Sequence, residues 1–92
     1  MIDIADILVV TIPDGEVFIR TRTRSGRVLR SLREYEELLI PYGFEKASKS
    51  VLVNVDKIWT FCEENQTLYF DKNCELEGVK VSRRNVHKFK GF

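Results

Sequence analysis

Phe44-Glu45-Lys46-Ala47-Ser48-Lys49-Ser50-Val51-Leu52-Val53-Asn54-Val55-Asp56-Lys57-Ile58 is the stretch on which the reading of this chain turns, together with Val81-Ser82-Arg83-Arg84-Asn85-Val86 further on. Lys46, Ser48, Lys49 and Ser50 put two cations and two hydroxyls within five residues, next to apolar Val51-Leu52-Val53. A tight turn of that make-up can hold phosphate or the edges of bases. Asn54 admits two readings: a polar contact for the same partner, or a buried amide that ties the turn to backbone groups. In the second segment Arg83 and Arg84 fall in the first turn of a short terminal helix, with Ser82 as its N-cap. Cations cost stability there, because the helix dipole is positive at that end. Free amides at the same end attract phosphate, so the pair makes sense against a polyanion; an ordinary pair of solvated arginines is the alternative. Arginine is also well shaped to grip guanine through two parallel hydrogen bonds in a major groove.

Working outward, residues 7–12 (Ile-Leu-Val-Val-Thr-Ile) are β-branched and apolar, Pro13-Asp14-Gly15 supplies turn chemistry, and Val17-Phe18-Ile19 resumes a strand. That predicts a hairpin. Alternation over residues 18–24 places Arg20, Arg22 and Arg24 on one face of a strand, a comb of guanidinium groups, with Ser25-Gly26 as the next turn and a third strand at 27–30. These arginines read either as phosphate contacts or as a solvated strand face. Ser31-Leu32-Arg33-Glu34 fits a capping box, so a helix is expected from Leu32, with Leu32, Tyr35, Leu38 and Leu39 as its apolar stripe and Pro41 and Gly43 ending it. Strands are expected at 58–61, 67–70 and 76–81, with Trp59, Phe61, Tyr69 and Phe70 read as core. The residues alone thus point to a β-rich α+β domain.

A length of 92 residues suits one small domain over residues 1–92 with a modest core, and 43% apolar residues argue against disorder. No apolar run approaches the roughly 20 residues that span a bilayer, so no membrane partner is expected. Residues 1–12 carry Asp3 and Asp6 in place of a basic leader, and a cytoplasmic location is expected. Net charge is only +1, yet the charges are segregated. Residues 17–33 hold six arginines (Arg20, Arg22, Arg24, Arg27, Arg30, Arg33) and no acid; residues 78–92 hold Lys80, Arg83, Arg84, Lys88 and Lys90, again with no acid. Glu63, Glu64, Asp71, Glu75 and Glu77 gather between them. If the basic segments meet in space, the molecule has a basic face and an acidic back.

Catalytic chemistry finds little footing. Cys62 and Cys74 form no C-x-x-C pair, and the one histidine, His87, cannot complete a zinc site with them at a familiar spacing, so no metal and no cofactor is expected. Neither G-x-x-x-x-G-K-[ST] nor G-x-G-x-x-G occurs. No enzyme is predicted.

The two opening segments, taken as a pair, resemble the double signature of LytTR-type DNA-binding domains, F-x-[KR]-x-H-[RK]-S-x-[LIV]-V-N-x-x-x-I followed after a hairpin by V-S-[RK]-R. The resemblance extends from Asp6-Ile7 to the terminal helix. It implies an elongated, mainly antiparallel β domain with short helices, whose loops enter successive major grooves of double-stranded DNA and bend it. Carried over residue by residue, it implies base reading by Arg84, and DNA contacts from Lys46, Ser48, Lys49 and Ser50. Arg83 falls to phosphate; Asn85, Asn54, Arg20 and Arg22 complete the candidate set. Ser48 stands where a histidine is common, and Glu16 departs from the polar or basic residue of the first hairpin. Similar domains often follow a receiver domain in response regulators of bacterial two-component systems and occupy paired direct repeats in promoters. A receiver or regulatory partner protein, and a monomer placing two copies on DNA, are therefore implied. The alternatives are a protein-interaction module using the strand edge or Leu38-Leu39-Ile40, and a small RNA-binding domain.

Overall fold

The computed structural model describes residues 3–12, 16–23, 25–28 and 31–92. The turn Pro13-Asp14-Gly15 and the expectations for Arg24, Leu29 and Arg30 lie outside these residues. Five strands, β1 (Val9–Thr11), β2 (Val17–Arg20), β3 (Ser25–Val28), β4 (Phe44–Ser48) and β5 (Val51–Asn54), form one sheet in the order β3-β2-β1-β5-β4. Strands β6 (Thr60–Cys62), β7 (Thr67–Tyr69) and β8 (Val79–Lys80) form a second. Every pairing is antiparallel. A single α-helix among the described residues, α1 (Leu32–Leu39), and four short 3-10 segments complete a mainly antiparallel α+β fold. It measures 35 × 27 × 26 Å.

The larger sheet is covered on both faces, which explains why residues 7–12 run apolar without alternation. Val10, Ile19 and Leu52 face α1 and pack with Leu39 and Phe44, flanked by Leu32 and Tyr35. Val9 and Val53 face the other way, into a cluster with Phe61, Leu68, Phe70, Val79, Val81 and Phe89. Full burial of one such side chain contributes about 1.5–3 kcal/mol. Helix α1 starts where the cap requires: the Ser31 hydroxyl accepts from the Glu34 amide at 3.2 Å. It ends in a 3-10 turn, Ile40–Tyr42, which Gly43 closes in the left-handed region at φ 94°. The apolar stripe is narrower than expected, because Leu38 is 43% exposed while Leu39 is fully buried.

Four expectations are corrected. Strand β2 ends at Arg20, with Arg22 and Thr23 in a bend, so the arginine comb does not continue. Ser25 and Gly26 are not a turn; they begin β3, opposite Arg20 and Ile19. The 76–81 strand shrinks to Val79–Lys80, because the Asp71 carboxylate accepts from the Glu75 and Leu76 amides at 2.9 and 3.2 Å and holds that segment in a turn. Gly78 then lets β8 reach β7: a Cβ there would sit 2.5 Å from Thr67 Cγ2 and 3.0 Å from the Leu68 carbonyl. Trp59 precedes β6, where strand alternation no longer governs, and is 58% exposed rather than core; Phe61 and Phe70 are buried as expected. Among the described residues no helix is long and apolar enough to cross a membrane.

Candidate nucleic-acid interface

Strands β4 and β5 shift register between Lys46 and Ser48: Lys46 opposes Leu52, whereas Ser48 opposes Val51. The irregularity re-aims the end of β4, as bulges do, and Lys49 and Ser50 then form the turn. The Ser50 carbonyl accepts from the Ile12 amide at 3.2 Å, which fastens the turn to the end of β1. On its other side the Ala47 carbonyl accepts from the Ser82 amide at 2.8 Å. That bond seats the terminal 3-10 helix, Arg83–Lys88, beside β4, while fully buried Phe89 anchors the same element from below.

The two signature segments thus meet in space. Between them lies an open cleft of about 450 Å³ lined by Lys46, Ser48, Lys49, Ser82, Arg84 and Asn85. Its lining carries three cations, hydroxyls and an amide, and no carboxylate. Arg83 and Arg84 are both exposed, but only Arg84 faces this cleft. Ser82 holds the N-cap position without a side-chain bond to the backbone there; its hydroxyl accepts instead from Asn85 Nδ2 at 2.7 Å, which orients that amide. The terminal element is 3-10 and six residues long.

Other candidates lie elsewhere. Asn54 is 4% exposed, its Nδ2 donating to the Ile7 carbonyl at 3.0 Å and its Oδ1 accepting from the Asp56 amide at 3.2 Å. Both ends of its amide are used inside the protein, as the structural reading of Asn54 expects. Arg20 is likewise engaged within the protein: Nη2 donates to the Glu77 carbonyl at 2.6 Å, Nη1 lies 3.4 Å from Glu77 Oε2, and the guanidinium sits 5.5 Å from the Phe70 ring centroid. Burial holds its pKa below the ordinary arginine value, with Glu77 pulling the other way. Arg22 donates to the Phe70 carbonyl at 3.1 Å. Arg27 pairs with Glu16 at 3.0 Å and Arg33 with Glu37 at 3.7 Å. The described arginines of the first basic segment therefore meet carboxylates and carbonyls, and none of them lines the cleft.

Sequence reasoning missed two neighbours of the cleft. Lys46 Nζ lies 2.7 Å from Glu36 of α1, and Lys88 Nζ lies 3.7 Å from Glu45 of β4. Both pairs join separate elements, so no local spacing announces them. His87 is exposed, Cys62 and Cys74 are free thiols, and no cluster of His, Cys, Asp and Glu among the described residues could hold a metal ion.

Comparison with known proteins agrees with this geometry. The family model of the LytTr DNA-binding domain matches residues 1–92. Among solved structures, the chain is similar to the LytTr DNA-binding domain of a Bacillus cereus protein described as a methyl-accepting/DNA response regulator. The TM-score is 0.80 at 26% identity, over 99% of this chain and 86% of that one. Curated proteins give no significant match. A match over its whole length, on a fold that brings both signature segments to one cleft, places the chain in the LytTR family of DNA-binding domains.

Proposed function

We propose that this chain is a single domain that binds double-stranded DNA sequence-specifically and regulates transcription from promoter sites. Family membership supports DNA binding and transcriptional regulation, not catalysis. The observation that carries the finer reading is the cleft itself, where Lys46, Lys49 and Arg84 converge with Ser48, Ser82 and Asn85 and no carboxylate intrudes. The Lys49-Ser50 turn and the start of the terminal 3-10 helix enter successive major grooves. Arg84 reads a guanine through paired hydrogen bonds, and Arg83, Lys46 and Lys49 take phosphates. The free protein is a cytoplasmic monomer, and two copies occupy paired direct repeats on DNA. A receiver domain or a regulatory partner protein supplies the signal, as in bacterial two-component response regulators. The rival reading is a protein-interaction module using a strand edge or Leu38-Leu39-Ile40; of that patch Leu38 and Ile40 are exposed while Leu39 is buried in the core.

The test is selection of bound duplexes from a random pool, followed by titration of the recovered duplex, a scrambled control and RNA of matched sequence against salt. A recovered motif, bound tighter than the control and the RNA and with affinity falling steeply as salt rises, supports the reading. No enrichment, with equal weak binding to both duplexes, would refute it.

A further inference from the structure

Lys46 has two calls on its ammonium. It lines the cleft with Ser48, Lys49 and Arg84, and it also lies 2.7 Å from the Glu36 carboxylate, at side-chain exposures of 37% and 23%. Glu36 belongs to α1, which packs into the cluster around Leu39 and Phe44 while the terminal element packs through Phe89 into the other one, and it is not among the residues lining the cleft. It therefore competes with any phosphate for this cation without occupying the phosphate's place. The register shift between Lys46 and Ser48 sets Lys46 at the boundary of the two environments. A second ion pair, Lys88 with Glu45 at 3.7 Å, joins the terminal element to β4.

Resting on the DNA-binding reading, we propose that Glu36 is a charge guard: it neutralises Lys46 in the free protein and so suppresses sequence-independent attraction to DNA. Partly exposed ion pairs are weak and screened by salt, so the latch opens readily when a docked duplex presents a phosphate to the cleft. Until then the cleft attracts DNA with one cation fewer than its lining suggests. Affinity for random duplexes, which rests on the number of phosphates neutralised, is held down accordingly.

The experiment compares wild type, Glu36→Gln, Lys46→Gln and the double variant on a random duplex and on the selected one, across a salt series. Glu36→Gln keeps the size and hydrogen-bonding capacity of the side chain while removing its charge. The expected result is random-duplex binding roughly 3- to 10-fold tighter at low salt, with a salt slope steeper by about 0.9. That gain disappears when Lys46 is also Gln. Glu36→Asp, which keeps the charge but shortens the reach, should give a smaller gain and serves if the Gln variant does not fold. An equal gain with and without Lys46 would mean a general charge effect and overturn the proposal. Weaker binding to the selected duplex with random binding unchanged would make Glu36 a positioning residue for Lys46, and would overturn it too. Wild-type binding left unaltered by Glu36→Gln would overturn this proposal alone; failure of the wild type to bind either duplex would overturn the DNA reading and this proposal with it.

Discussion

Arg20 and Arg84 carry the same guanidinium into different surroundings. Arg20 ends β2 beside Glu77 and Phe70 of the segment that links β7 to β8; its side chain is 21% exposed and bonds a backbone carbonyl at 2.6 Å. Arg84 starts the terminal 3-10 helix, is exposed, and makes no ion pair among the described residues. By count, residues 17–33 are the more basic segment. By structure, Arg20 and Arg22 of that segment bond the Glu77 and Phe70 carbonyls, whereas the cleft is lined by three cations from other segments. What separates them is whether a carbonyl or carboxylate waits within reach once the chain has folded, since a desolvated cation must be partnered internally whereas an exposed one stays free for an outside anion.

The largest effect expected on either side of this comparison is at Asn54, the most internal of the candidate polar residues. Asn54→Ala orphans the Ile7 carbonyl and the Asp56 amide and should lower stability by up to about 3 kcal/mol, read by denaturant unfolding. DNA affinity per folded molecule should not change. Next comes Arg84→Ala, which should weaken binding to the selected duplex by about 1–3 kcal/mol and relax preference at one base position, with the melting temperature kept. Equal losses on every sequence would remove Arg84 from base reading. Arg20→Ala should do the reverse: it leaves DNA affinity near wild type and lowers unfolding free energy by about 1–2 kcal/mol, because the link to Glu77 is lost. For Lys49→Ala a uniform loss on selected and random duplexes is expected, with a salt slope shallower by about 0.9. Smallest is Arg27→Ala: its pair with Glu16 is more than half exposed on both sides, and less than about 1 kcal/mol should be lost in a melting experiment.

What could be read in advance follows the range of the interaction. The Ser31 cap and the helix from Leu32 were legible because a cap is decided within four residues. The β1–β2 hairpin was legible because apolar runs flank a short polar turn, and the turn that Lys49 and Ser50 form was legible from its cations and hydroxyls. The cleft was legible only through the resemblance, which paired two segments that the chain keeps far apart and the Ser82–Ala47 bond brings together. Illegible were Arg20 with Glu77 and Lys46 with Glu36, since ion pairs between distant elements leave no periodic trace. The comb failed at Arg22, because period two was extended past Arg20, where β2 ends. Trp59 failed because alternation was carried one residue beyond the start of its strand.

The most direct test of this division between structural and DNA-facing arginines is one paired measurement: unfolding free energy and affinity for the selected duplex, on Arg20→Ala and Arg84→Ala side by side. The account predicts a crossing, with Arg20→Ala less stable at unchanged DNA affinity, and Arg84→Ala equally stable but binding about 5- to 150-fold more weakly. An Arg84 variant that loses stability, or an Arg20 variant that loses DNA affinity at full stability, would contradict it.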